Sequence, residues 1–409
     1  MTKFPTINDI SGRMFGKEET QLLEEVLRSG TLFRHGGKMV VQLEEEFAKA
    51  YGSGGAVACS SGTAALHAAV ASLNLEPGDE IITTPITDMG TIIAILMQQL
   101  IPIFADVDPR TGNMTAQTIE AQITDRTRAV IVVHLFGQPA DMDSILLLCR
   151  NRGLWVIEDA SQAHYAEYKG RKVGTLGDIG CFSFQQSKQM TSGDGGIVIC
   201  DDDQRVNEIG LFCDKGWPRS GPDAVRGHVK LGVNYRMNEL TGAVALAQLR
   251  KLQEIVRLRQ QSAQELVAYV ETCPSLEPPY LIPDIQCTWW RFWLTLSGDL
   301  KEDLELRKSF VERVQQAGIP LGAGYIPVPI FEYPAIAERR TFGNSELPWS
   351  LSQARKNVVY RREDYPGTIR YLNTVMNLGW NEKISKEDVA RVQSAFAAAS
   401  EAIGLAVSR

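Results

Sequence analysis

Between about residues 38 and 250, short runs rich in β-branched residues alternate with longer segments of helical apolar spacing, and that alternation leaves few folds open. Strand, helix and strand in succession form a βαβ unit, and a series of them builds one mainly parallel sheet with helices on its faces. The predicted strands are 56–60 (AVACS), 80–84 (EIITT), 101–107 (IPIFADV), 128–136 (RAVIVVHLF), 154–160 (LWVIEDA), 181–184 (CFSF) and 196–201 (GIVICD). Helical spacing is read over 63–73, 142–152 and the proline-free stretch 238–270, which is expected to bridge two domains.

After the proline-bearing loop CPSLEPPYLIP the pattern changes. A strand (TWWRFWLTL), a helix (DLELRKSFVERVQQAG), a proline-rich loop and a last helix (SKEDVARVQSAFAAASEAIG) follow. A large α/β domain over 1–250, N-terminal arm included, and a smaller α+β domain over 251–409 are therefore expected. With 409 residues, 44% of them hydrophobic, the chain has material for two cores.

A formal charge of −7 gives no long-range attraction to nucleic acid or to anionic membranes, so neither is expected as a partner. The seven cysteines form no CxxC pair or regular spacing, which argues against a metal site or a disulfide framework. The first residues lack the apolar run of a signal peptide, and no segment offers about 18 uncharged apolar residues. A cytoplasmic chain is expected.

Three segments carry candidate chemistry. In SSGTAAL (60–66) a strand ends in small residues where a helix begins. Backbone N–H groups there can cradle a phosphate, although serine and threonine at a helix start are equally ordinary caps. In VIEDASQAH, Asp159 ends an apolar strand, where open α/β sheets gather their ligands. A carboxylate at that place can accept a hydrogen bond from a protonated pyridine nitrogen, or merely cap a turn. In CFSFQQSKQMTSGDGGIVI, Lys188 sits in a polar loop between apolar strands, near Ser183 and the glycines Gly193, Gly195 and Gly196. A lysine amine forms a Schiff base with an aldehyde if its surroundings keep it deprotonated; otherwise it is a solvated charge.

SSGTAALHAAV, VIEDASQAH, GTLGDIGCFSF, SKQMTSGDGG and GVNYRMNEL, in this order, resemble the sugar aminotransferase (DegT/DnrJ/StrS) family, relatives of aspartate aminotransferase. The similarity runs from RSGTLFRHGGKMVVQLEEEFA to MNLGWNEKISKEDVARV. It implies the fold type I architecture of enzymes dependent on pyridoxal 5'-phosphate. It further implies that Lys188 forms the Schiff base, Asp159 pairs with the pyridine nitrogen, and Gln162 lies beside the ring. Gly62, Thr63 and Ser183 would hold the cofactor phosphate. Asn234 matches a family residue that reaches the neighbouring subunit's phosphate, which implies a homodimer with shared sites.

Two segments depart from the family pattern. Where relatives place an aromatic residue against the cofactor ring, PITDMGT puts Asp88. Either Asp88 faces the ring and contacts an amine or the substrate, or it caps a helix beginning near Gly90 while Met89 covers the ring with its sulfur. In GYIPVPIFEYP, Phe331 stands near the place of a family histidine. In TWWRFWLTL, strand alternation assigns Trp289 and Trp293 to the core and Trp290 to a partner or substrate surface.

The resemblance implies transfer of an amino group from glutamate or glutamine to a keto-sugar, commonly nucleotide-linked, with a keto-cyclitol as the alternative acceptor. A branch of the family that removes sugar hydroxyls carries histidine in place of the lysine, and Lys188 argues against it. A cofactor-binding regulator without catalysis is disfavoured by Lys188, Asp159 and the phosphate-loop residues occurring together.

Overall fold

The computed structural model describes residues 3–219 and 227–405. After helices α1 (Lys17–Ser29) and α2 (Met39–Tyr51), the chain alternates β1 (Gly55–Cys59), α3 (Gly62–Ser72), β2 (Glu80–Thr83), α4 (Met89–Met97), β3 (Ile101–Phe104), α5 (Ala116–Glu120), β4 (Thr127–Val133), α6 (Met142–Arg152) and β5 (Trp155–Asp159). The short β6 (Glu167–Tyr168) and β7 (Arg171–Lys172) precede β8 (Ile179–Ser183), β9 (Gly196–Cys200) and α7 (Asp203–Cys213). The seven-stranded sheet has the order β1-β9-β8-β5-β4-β2-β3, and β9 alone runs antiparallel to its neighbours. Central strands such as TRAVIVV are apolar on both faces because helices cover both sides of the sheet.

Helix α8 (Glu239–Val270) is capped by Asn238, whose side chain accepts from the Thr241 N–H. It runs unbroken through position 250, where the sequence reading divides the chain, and packs on α1 and α2 at one end and on the last helix at the other. The remaining elements are β10 (Leu276–Glu277), β11 (Ile285–Gln286), β12 (Arg291–Leu296), α9 (Leu304–Gln316), β13 (Gly322–Ala323), α10 (Pro334–Ala337), α11 (Pro366–Thr374), β14 (Met376–Gly379) and α12 (Lys386–Ala402). Four of these strands form an antiparallel sheet of order β10-β12-β14-β13.

Two predicted strands are cut short by residues of positive φ, one at its end and one at its start. The run expected to reach residue 136 stops at Val133, because Phe136 takes a left-handed conformation (φ 60°) in the turn Leu135–Gly137. The tryptophan strand begins only at Arg291, since Trp289 also has positive φ (50°) and the Trp290 N–H bonds to the Phe136 carbonyl. The break cancels the expected alternation: Trp289, Trp290 and Trp293 are all buried, at 3%, 5% and 2% exposure.

All seven cysteines are free and buried. Among the described residues no helix is long and apolar enough to cross a membrane, and no group of His, Cys, Asp and Glu side chains could hold a metal ion.

Candidate active site

A cavity of about 500 Å³ opens where the carboxyl ends of β5 and β8 meet the N-termini of α3 and α4. Ser61 caps α3, its hydroxyl accepting from the Ala64 N–H at 3.0 Å, so Gly62 and Thr63 form the first turn with N–H groups toward the cavity mouth. Gly62 is required there: a Cβ on it would lie 2.6 Å from that of Ser183 at the end of β8. Ser61, Gly62, Thr63, Ser183 and Gln185 thus share one wall. A Cβ on Gly196 would meet the Ser61 carbonyl oxygen at 2.4 Å, so this glycine lets backbone pass backbone, while Asp194 between Gly193 and Gly195 lines the cavity.

Asp159 leaves the end of β5 nearly buried, at 5% exposure. Its Oδ1 accepts from the Ser161 N–H at 3.2 Å and its Oδ2 from the Thr91 hydroxyl at 2.9 Å. Thr91 spends its one hydrogen on that carboxylate and therefore accepts from Thr87, 2.8 Å away and just before the Asp88 cap of α4. This chain fixes the carboxylate in orientation and leaves it lone pairs to spare.

Lys188 is half-buried, with Nζ 4.1 Å from the centroid of the Trp290 ring. Desolvation lowers its ammonium from the ordinary lysine value to about 8; Asp159 and Asp88 pull upward and Arg291 pushes down. Much of the amine is therefore uncharged just above neutrality. The loop carrying it is braced through its backbone. Arg13 donates to the carbonyls of Lys188 (2.7 Å) and Gln186, and Trp290 Nε1 donates to that of Ser187 at 2.8 Å. Arg13 in turn faces Glu382 at 3.7 Å, and Glu382 binds Arg259 at 2.8 Å; all three side chains are fully buried.

Gln162 spans the cavity's two sides: its Oε1 accepts from the Phe136 N–H at 2.9 Å, and its Nε2 donates to the Tyr325 hydroxyl at 3.2 Å. Tyr325, Arg291 and Thr91 are wall residues that the sequence reading missed, while Trp290 lies on the wall as its reading as a substrate surface expected. A charged residue inside the aromatic run TWWRFW was the available signal for Arg291, and the tyrosine of GYIPVP was that for Tyr325.

Asp88 meets both of its sequence readings in part. It caps α4, its Oδ1 accepting from the Gly90 N–H at 2.8 Å, and it also lines the cavity. Met89 does not line it. As the first residue of α4 it turns inward and packs on the core, which corrects the expectation that it covers a ring. Phe331 is buried against Phe104 and Tyr365, with ring centroids 5.5 and 4.7 Å away, outside the cavity wall. Asn234 is exposed, on a loop bridged to Asp214, and does not reach the cavity of its own protomer.

The donor set fits a phosphorylated pyridine aldehyde: N–H groups at the start of α3, hydroxyls of Ser61, Thr63 and Ser183, a fixed buried carboxylate, and an amine of lowered basicity.

The DegT/DnrJ/EryC1/StrS aminotransferase family matches residues 14–397. The chain is similar to the spore coat polysaccharide biosynthesis protein SpsC of Bacillus subtilis, 32% identical over 384 residues that cover 92% of each protein. It is similar to the UDP-2-acetamido-2-deoxy-3-oxo-D-glucuronate aminotransferase of Pseudomonas aeruginosa, 32% identical over 319 residues, 78% of this chain and 84% of that one. The solved structure of the aminotransferase from Psychrobacter cryohalolentis superposes with a TM-score of 0.83 at 28% identity, over 96% of this chain and 99% of that one.

Proposed function

The chain belongs to the DegT/DnrJ/EryC1/StrS aminotransferase family and is an aminotransferase, and from that premise we propose that it uses pyridoxal 5'-phosphate to aminate a nucleotide-linked keto-sugar. Glutamate or glutamine gives up the amino group and leaves as the 2-oxo acid; the ketone receives it and leaves as the amine. One observation carries the reading: in one cavity lie a lysine whose charge is depressed to about 8, a buried carboxylate and the N-terminus of α3.

In this proposal the first turn of α3, with Thr63 and Ser183, holds the phosphate, and Asp159 accepts a hydrogen bond from the ring nitrogen. The cofactor, when bound, supplies an electron sink for the carbon that bears the transferred nitrogen. Lys188 Nζ anchors it and, once displaced, takes the proton from that carbon and returns it elsewhere. Trp290 and Arg13 keep the lysine loop in place by holding three successive carbonyls. The active form is a homodimer, in which Asn234 serves the partner's phosphate; its exposed position outside its own cavity supports this.

Borohydride reduction followed by peptide mapping tests the anchor: a pyridoxyl group on Lys188 is expected, and its occurrence on another lysine or on none overturns the assignment. Amination of a panel of nucleotide-linked keto-sugars and keto-cyclitols, with glutamate as donor, tests the acceptor. Conversion of the keto-cyclitols alone overturns the keto-sugar.

A further inference from the structure

One guanidinium in the cavity has no part in the functions proposed above. Arg291 opens β12 at the cavity wall, where its Nη1 donates to Asn377 Oδ1 on the neighbouring β14 at 2.7 Å. Asn377 is held in that orientation because its own amide donates to the Gly324 carbonyl. Arg291 Nε is buried and has no hydrogen-bond partner, and no carboxylate of the described residues pairs with the guanidinium.

The other buried arginines are not like this. Arg13 and Arg259 face Glu382 and donate to backbone carbonyls. Arg307 also lacks a carboxylate and its Nε is likewise unpartnered, but its Nη1 donates to two carbonyls, those of Leu372 and Val375. Arg291 has a single neutral acceptor, and the rings of Trp290 and Tyr325, 4.9 and 5.8 Å from its guanidinium carbon, shield it further from water. Arginine does not shed its proton in proteins, so a charge desolvated this far without a counter-ion is costly unless a ligand supplies the anion. The planar fork of N–H donors selects a carboxylate, which it binds through two parallel hydrogen bonds.

We propose that Arg291, oriented by Asn377, is the carboxylate-binding residue of this cavity, taking a carboxylate of the amino donor or of a uronic acid acceptor. The proposal rests on the aminotransferase reading for the names of those two ligands and on Arg291's own surroundings for the carboxylate.

Calorimetric titration of the holoenzyme with glutarate, a dicarboxylate that carries no amino group to transfer, reads the site without turnover. Affinity is expected to fall on the order of 100-fold in Arg291→Gln, as for a buried charge pair that loses one partner, and less in Arg291→Lys and Asn377→Ala. If Arg291→Gln does not fold, the latter two variants carry the test. Equal glutarate affinity in wild type and variants overturns the proposal.

The source of the carboxylate is read from two further arms. If it is the donor's, Arg291→Gln slows single-turnover bleaching of the lysine-bound cofactor by glutamate but not by 4-aminobutyrate, which lacks the α-carboxylate. If it is the acceptor's, the variant loses a nucleotide-linked keto-uronate and keeps the neutral keto-sugar. In a holoenzyme that turns over, no change in either arm also overturns the proposal. A holoenzyme that aminates nothing, yet binds glutarate only with Arg291 present, would sink the aminotransfer reading and leave this inference standing.

Discussion

The cavity's two sides are made in different ways. Its floor, built from the seven-stranded sheet, consists of strand ends and a helix start: Ser61 to Thr63 follow β1, Asp159 ends β5, Ser183 ends β8 and Lys188 follows it. Its rim, built from the antiparallel sheet and the loops around it, consists of large side chains: Trp290, Arg291 and Tyr325. Backbone groups at strand ends are placed by the sheet's register and vary little with the residues beside them. The rim is placed by packing, and any substitution there reshapes it. A floor of this kind suits a ligand common to all turnovers, and a rim of this kind suits the ligand that must be chosen.

The largest effect expected from breaking this division is that of Lys188→Ala. It removes the proposed anchor and proton carrier together, and reaction with glutamate should fall about 10⁴-fold or more in single-turnover assays. Arg291→Gln, on the rim, should keep the cofactor's absorbance; loss of cofactor in that variant would erase the distinction between the sides.

Glu382→Ala strikes the brace that joins both. Leaving Arg13 and Arg259 buried without their carboxylate should destabilise the fold by about 3–5 kcal/mol, read from urea unfolding. A loss below about 1 kcal/mol would show that the two sides stand independently.

The floor should also set the pH dependence of cofactor capture. Lys188 is depressed in the folded chain, so below about 8 its amine is protonated in folded and unfolded chains alike and the buried charge opposes folding. Above 8 the folded form loses its proton first, and stability rises toward the ordinary lysine value near 10.5. Capture of pyridoxal phosphate by the cofactor-free protein should accordingly slow about tenfold for each pH unit below 8, as only the neutral amine adds to the aldehyde. Stopped-flow absorbance reads the rate, and a flat profile would contradict the burial of Lys188.

The smallest effect belongs to Asp88, which stands on the seam. Asparagine caps helices about as well as aspartate, so Asp88→Asn should change stability by less than about 0.5 kcal/mol. Asp88 raises the Lys188 value, so the variant's capture profile should shift to lower pH. An unshifted profile would leave Asp88 the cap alone.

The same division explains what the sequence disclosed. Every floor residue named from the motifs, Gly62, Thr63, Asp159, Ser183 and Lys188, lines the cavity, because a strand boundary is written locally in an apolar run followed by small or polar residues. Gln162, three residues beyond β5, follows from the same register. Trp290 does line the cavity, but its burial beside Trp289 and Trp293 was not legible, because alternation presumes a continuous strand and the positive φ at Trp289 depends on pairing with a turn distant in sequence. Met89 was misread because capping by Asp88 fixes where α4 starts and hence which way its first residue faces. Arg13 carried no local signal for this role: its partners at 186, 188 and 382 meet only in the folded chain.

That meeting has a consequence for how the protein is made. Synthesis delivers Arg13 first, the lysine loop about 170 residues later and Glu382 about 190 residues after that, and domains fold in the order they emerge. Until the ribosome has added Glu382, Arg13 lacks the carboxylate that offsets its burial, and the carbonyls of Gln186 and Lys188 lack a settled donor. The lysine loop of a nascent chain therefore has only its Trp290 contact until Glu382 has been added and the Arg13 side of the brace can close.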